Sequence, residues 1–355
     1  MADITGSQTA HDFPCSRCFK YNKDVESSMR CAECNMNLCQ QCVDIHHDFQ
    51  PMRSHHLSRM FTLVALQSVR AIDISGTVPR VKRGHEVSAM CCVTPGNTRY
   101  TIISSWYEEI LIVLDGLFNI VQTVRLSEKS YGVCTLQGSR CVAVTARNGT
   151  NLYKFSVQLD GTLVGPNSYQ VPKSCRGITS FPETFADSLI VVNGGVCPED
   201  STKGAINVFS LGSHLTKTKT FPACLNGKDL MPRNIAFSKA THTMFFTDAK
   251  VGVLTMGMRG NICILVQDAR NTSSSLISGA RGLCIDKNDD IYVAGRVSNN
   301  VVKYKRDGTL IGEIVNQSHG IKQPISLTFD TERLGMFIGC AGDETRNMFY
   351  VDLQQ

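Results

Sequence analysis

The stretch RGLCIDKNDDIYVAGRVSNNVVKYKRDGTLIGEIV, residues 281–315, decides the fold of this chain. It opens on a short apolar run, Leu283 to Ile285, and turns through the polar Asp286 to Asp290. An apolar strand follows, Ile291 to Val293, ending in the small residues Ala294 and Gly295. A further strand, Val301 to Tyr304, leads into a polar hairpin at Arg306 to Gly308. Short runs of β-branched and aromatic residues, bounded by Asp, Asn and Gly, read as strands joined by tight turns.

The same order of strand, turn and strand recurs on both sides, in PRNIAFSKATHTMFFTD (232–248) and PISLTFDTERLGMFIG (324–339). From residue 85 onward the chain consists of such strands, and no long amphipathic helix interrupts them. Aligning the first strand of each unit gives anchors at Cys91, Val133, Ile178, Ile235, Leu283 and Leu327, spaced 42, 45, 57, 48 and 44 residues apart. That spacing is close to one four-stranded propeller blade of roughly 40–50 residues. Six anchors predict a mostly β chain with a six-bladed propeller over residues 85–355. The 281–315 unit resembles the NHL repeat in its Gly-apolar-x-apolar-Asp start, Gly282 to Asp286, and its D-x-x-x-D-I-Y-V-A centre. The resemblance covers about a third of the chain well, and the first three units follow by period alone.

A propeller must join its first and last sheets, because open edges pair with other chains. The last unit has three strands, Ile325 to Phe329, Met336 to Cys340 and Met348 to Leu353, so one is owed. The linker, 61–84, is expected to supply it from Ala71 to Ile74 or from Thr77 to Val81. The linker sustains no heptad pattern, which argues against a dimerising coiled coil.

The N-terminal region has a different signature. From Cys15 to His56 the spacing is C-x2-C-x12-C-x2-C-x4-C-x2-C-x3-H-H-x7-H-H. A C-x2-C turn brings two thiolates to one zinc, and a second pair of ligands closes the tetrahedron. Eight ligands serve two closed, structural sites, and metal supplies the folding free energy that so short a segment lacks. The six cysteines with His46 and His55 resemble the type 1 B-box of the tripartite-motif family. That family interleaves its ligands in a cross-brace, which implies Cys15, Cys18, Cys39 and Cys42 on one Zn2+, and Cys31, Cys34, His46 and His55 on the other. His47 and His56 are the adjacent alternatives. The expected module spans 13–60 behind a disordered tail, 1–12.

Of the 16 cysteines, ten lie outside this cluster. Cys134, Cys141, Cys263, Cys284 and Cys340 stand at strand positions and read as small buried hydrophobes. Neither a bilayer-spanning run nor a secretion signal is seen, which points to the cytoplasm. Net charge is +5, with 36 Lys and Arg against 31 Asp and Glu. Residues 1–60 carry six basic against seven acidic residues, so the surplus belongs to the large domain. Arg176, Arg233 and Arg281 each precede an anchor by two residues, and equivalent positions should share one rim as a candidate ligand face.

No G-x-S-x-G, H-E-x-x-H, G-x-x-x-x-G-K-[ST] or G-x-G-x-x-G occurs, so the chain reads as a non-enzyme, an accessory role in ubiquitin transfer aside. Asp286, Asn288 and Asp290 imitate the start of a calcium loop, but Ile291 stands where glycine is needed, and a turn is the better account. The expected function is a zinc-binding adaptor using B-box and propeller to bind proteins. Two alternatives accompany it: RNA binding by one propeller face, which NHL resemblance permits, and a component of a ubiquitin ligase assembly without its own RING. DNA and membrane are not expected partners, and the expected state is a monomer or weak self-associate.

Overall fold

The computed structural model describes residues 29–31, 36–38, 41–42, 57–59, 66–72, 74, 87–105, 108–136, 140–146, 149–182, 187–193, 204–211, 214–272, 275–330, 332–341 and 348–353. The chain divides into two compact units, 1–62 and 63–355.

In the first unit, β1 (Met29–Cys31), β2 (Met36–Leu38) and β3 (Leu57–Arg59) form an antiparallel sheet in the order β2-β1-β3. Its register sets Cys31 opposite Met36 on one side and Leu57 on the other. Leu38 and Cys42 are buried.

The second unit is a β-propeller. After β4 (Leu66–Ile72), the first sheet is β5 (Val87–Val93), β6 (Tyr100–Ser105), β7 (Ile110–Leu114) and β8 (Ile120–Arg125). The second is β9 (Ser130–Leu136), β10 (Cys141–Ala146), β11 (Asn151–Val157) and β12 (Leu163–Gln170). The third is β13 (Cys175–Pro182), β14 (Asp187–Asn193), β15 (Ala205–Leu211) and β16 (Leu215–Pro222). A small hairpin, β17 (Cys224–Leu225) and β18 (Lys228–Asp229), precedes the fourth, β19 (Pro232–Ser238), β20 (Thr243–Asp248), β21 (Gly252–Gly257) and β22 (Ile262–Gln267). The fifth is β23 (Ala280–Ile285), β24 (Ile291–Gly295), β25 (Asn300–Tyr304) and β26 (Leu310–Val315). The sixth has β27 (Pro324–Asp330), β28 (Gly335–Cys340) and β29 (Met348–Leu353), and takes β4 as its outer strand, in the order β27-β28-β29-β4.

The expected linker therefore contributes a strand, pairing Met348 with Ile72 and Leu353 with Leu66. That strand overlaps the first of the two expected segments at Ala71 and Ile72, while Thr77 to Val81 falls outside the described residues. Sequence reading located the joint from the strand owed by the last unit.

The core is a set of wedges between neighbouring sheets. The first and second share Ile102, Leu111, Val142, Val144 and Phe155, all at 0% exposure. The sixth and first share Phe337, Met348, Ile103 and Ile112, joined by Ile72 and Ile74 from the N-terminal strand region. The middle strands β6, β7, β24 and β28 carry buried side chains on both faces because both are covered, which is why their motifs read as continuous apolar runs.

Neighbouring inner strands approach closely where the sequence places glycine. A Cβ on Gly132 would lie 2.5 Å from the Arg176 carbonyl oxygen, and one on Gly177 would lie 2.7 Å from Asn234 Cα. Hydroxyls pin the same seams. Ser104 Oγ donates to Tyr131 O at 2.9 Å, Thr145 Oγ1 to Arg176 O at 2.7 Å and Thr247 Oγ1 to Arg281 O at 2.6 Å. Each hydroxyl on a second strand thus satisfies a carbonyl of the next sheet's first strand.

Candidate functional site

The innermost strands β5, β9, β13, β19, β23 and β27 each stand at one end of their sheet, with no strand beyond them. All six sequence anchors lie on these strands and line one central cavity of about 300 Å³. One residue past the anchors comes a level of small side chains, Cys92, Cys134, Thr179, Ala236, Cys284 and Thr328, all in the lining. Farther along the strands the lining passes to Thr135, Ser180, Phe237, Ile285 and Phe329, and before the anchors it includes Ser88, Ala89 and Tyr131. Among the described residues the lining contains no Asp, Glu, Lys, Arg or His.

The channel thiols are not poised nucleophiles. Burial pushes Cys92 up to about 11, and pushes Cys91 well above its usual value, reinforced by Cys134 and Cys92. Cys284 is raised by burial first and the Asp286 carboxylate second. All three stay protonated at neutral pH, so they offer weak polarity and small volume.

Sequence reasoning overlooked this level of small residues. The signal was present: aligned one position past each anchor, the six units read Cys, Cys, Thr, Ala, Cys and Thr.

Arg176, Arg233 and Arg281 occupy the equivalent position in three successive inner strands, two residues before the anchors. They do not line the channel. Arg176 is buried at 2% exposure, its guanidinium 5.7 Å from the centre of the Tyr131 ring, whereas Arg233 and Arg281 are half-buried. The three positions are equivalent along their strands, and only Arg233 and Arg281 present side-chain surface.

The calcium-like segment is a turn. Asp286 Oδ1 accepts the backbone N–H groups of Asn288 at 2.8 Å and Asp290 at 3.0 Å, and Oδ2 accepts the Tyr292 hydroxyl at 3.2 Å. Lys303 Nζ sits 2.8 Å from Asp290 and 3.4 Å from Asp286, supplying the cation that the acids require.

The ten scattered cysteines divide. Cys134, Cys284 and Cys340 are buried in strands as expected, but Cys263 is exposed on the outer strand β22 and Cys141 half-exposed. Cys263 lies on an outer strand open to solvent and Cys141 at the first position of β10, where a strand begins, and position in the sequence alone does not reveal either.

Of the expected zinc ligands, Cys15, Cys18, Cys34, Cys39, His46 and His55 lie outside the described residues, as do His47 and His56. Cys31 is described as backbone in β1 and Cys42 as a buried side chain. Among the described residues no group of three or more His, Cys, Asp or Glu is placed to hold a metal. No helix among them is long and apolar enough to cross a membrane.

Neither a protein-family model nor a curated protein matches the sequence. Solved structures do match the fold. A protein of unknown function from Bacteroides thetaiotaomicron superposes with a TM-score of 0.60 at 12% identity, covering 81% of this chain and 76% of its own. A gluconolactonase from Xanthomonas campestris gives 0.56 at 14%, covering 82% and 97%. A streptogramin B lyase gives 0.54 at 11%, covering 81% and 98%. These likenesses establish the β-propeller fold.

They also correct the non-enzyme reading. The propeller is shared with that lyase, that gluconolactonase and a luciferin-regenerating enzyme, so this fold carries catalysis as readily as binding. Missing hydrolase or dinucleotide motifs exclude nothing here, because those motifs belong to other folds.

Proposed function

We propose that this chain is an interaction adaptor whose propeller docks an acidic protein segment on its upper face, with a zinc-folded module at its N-terminus. One observation carries the reading: the charge of the face where the inner strands begin. In four-stranded sheets, the connections between sheets and the turns between second and third strands share that face. Side chains confirm the sharing, since Arg296 Nη2 donates to Gln323 Oε1 at 3.2 Å. Across the third to sixth sheets the face exposes Lys173, Lys250 and Lys322 and half-exposes Arg233, Arg281 and Arg296.

Among the described residues, two acids there are held by internal hydrogen bonds. Asp248 Oδ2 accepts from the Met231 N–H at 2.7 Å, and Asp268 is fully buried, accepting from Gly279 N–H at 2.7 Å and from Arg270. Exposed Lys228 and Asp229 offset each other. Among the described residues, the exposed side chains left on this face are mainly basic, and the closed ring holds them rigid, which suits steering and holding an anionic partner.

The same surface supports RNA as a second reading, since phosphates meet it equally well. A labelled oligoglutamate peptide and a mixed-sequence single-stranded RNA distinguish the two in parallel titrations against the full chain and its K173E/K250E/K322E variant. Peptide binding that the variant loses, with RNA retained weakly or not at all, is the expected result. RNA alone binding moves the assignment to the second reading, and binding of neither removes both.

For the first unit, the strand register supports a shared metal. Cys31 stands opposite Leu57, which follows the expected ligand His55 by two residues in sequence, His55 itself lying outside the described residues. Buried Cys42 belongs to the other expected set. Cys15, Cys18, Cys39 and Cys42 would hold one Zn2+ and Cys31, Cys34, His46 and His55 the second, each supplying about 10–16 kcal/mol of folding free energy. Native mass spectrometry should find two zinc ions, with C31S and C42S each losing one. A metal-free mass for the wild type rejects the assignment.

A further inference from the structure

We propose that the central channel is a binding site for an uncharged, hydroxyl-rich molecule of sugar size, separate from the charged upper face. The cavity is built and is not a packing leftover. Six inner strands converge on one axis, and at the level one residue past the anchors every one of them carries a small side chain: Cys92, Cys134, Thr179, Ala236, Cys284 and Thr328. Cys134, Ala236 and Cys284 turn into the wedges between sheets, while Thr179 and Thr328 are half-exposed at this level. The resulting volume, about 300 Å³, lies at the lower end of the roughly 300–1,000 Å³ typical of ligand sites.

The walls specify the chemistry. Each inner strand pairs on one side only, so its other side turns backbone N–H and C=O groups toward the axis. Hydroxyls already satisfy some carbonyls near the ends, as Ser180 Oγ does for Thr135 O at 2.6 Å. Thr179 and Thr328 are half-exposed and line the middle, and Asn234 adds an amide above them. These groups suit a ligand that donates and accepts around its whole perimeter. Among the described residues no ionised side chain lines the cavity, so a charged ligand would meet no counter-ion from them, at a cost that a neutral polyol avoids. Phe237, Ile285 and Phe329 border the cavity beyond this level and add apolar wall, with Phe329 half-exposed beside it.

The test uses D-glucose and myo-inositol as probes, with gluconate as the charged analogue, on the full wild-type chain. Cys92 is half-exposed and lines the cavity, whereas Cys224 and Cys263 are exposed elsewhere and serve as internal controls. Alkylation by iodoacetamide at about pH 9.5, where a fraction of Cys92 is thiolate although burial pushes its pKa up to about 11, followed residue by residue by peptide mass spectrometry, should slow several-fold at Cys92 with a neutral probe. Rates at Cys224 and Cys263 should not change, and gluconate should protect about tenfold less well. T179Y and T328Y, which fill the cavity from opposite sides, should each abolish saturation transfer from the protein to the probe in NMR while keeping the wild-type circular dichroism spectrum. Failure of both neutral probes to protect Cys92, or protection that survives in both filled variants, overturns the proposal.

Discussion

Deleting residues 66–74 from the full chain will lower the thermal midpoint of the propeller by about 10 °C or more, because the deletion removes the strand that joins the ring. Ile72 and Ile74 are exposed by only 4% and 2%, and Val69 packs on the wedge between the fifth and sixth sheets. Burying each isoleucine is worth about 1.5–3 kcal/mol, and the cavities left behind add to the loss. Against a total stability of about 5–15 kcal/mol, that is a large share. Arg70 in the same strand also sits 5.2 Å from the centre of the Phe118 ring in the first sheet, tying the last sheet to the first. The deletion uncovers β29, MFYVDL, as an apolar edge, so concentration-dependent association should accompany the drop. Differential scanning calorimetry at two concentrations checks both effects. An unchanged midpoint would show that β4 does not hold the ring.

The second large effect is expected at Asp330. Its carboxylate is 1% exposed and pairs with Arg99 Nη1, itself 7% exposed, while the Tyr350 hydroxyl donates to Oδ2 at 3.0 Å. Arg99 lies 5.5 Å from the centre of the Phe337 ring, which packs 4.8 Å from Tyr350 and 5.7 Å from Phe118. These groups fill the seam between the sixth and first sheets. D330A leaves a buried guanidinium without its anion, and the expected destabilisation is about 3–5 kcal/mol by urea unfolding. The double variant R99M/D330A should recover part of that loss, since most of the penalty is the stranded charge. If the two single losses simply add, the seam is held by something other than this pair.

Much of the architecture was legible from residue order. The six anchors fall in the six innermost strands because strands covered on both faces keep an apolar pattern that turns of Asp, Asn and Gly punctuate. The glycine before Val133, Ile178 and Leu283 marked the same places, since a Cβ there would strike the next inner strand. The outer strand of the sixth sheet could be anticipated by counting, but its limits could not. Its partner lies more than 270 residues away in sequence, with Phe349 opposite Ala71, and local pattern carries no information about register over such distances.

The candidate sites were read less evenly. Zinc-ligand spacing is a local covalent pattern, visible without a fold. The three arginines stand at equivalent strand positions, but the stacking of Arg176 with Tyr131 was hidden, because side-chain burial depends on which residue the neighbouring sheet brings over it. The non-enzyme reading failed for a related reason. It searched for motifs of folds this chain does not have, and catalytic capacity belongs to sites that a propeller assembles from several sheets.

Local chemistry, then, was sufficient for strand, turn and repeat, since side-chain period, turn residues and ligand spacing act over a few neighbouring residues. The partner of each sheet, the closing strand, the burial of Arg176 and the channel with its ring of small residues arise only when six units distant in sequence converge on one axis. Packing between those units is a property of their arrangement in space, so it could be settled by the folded ring alone.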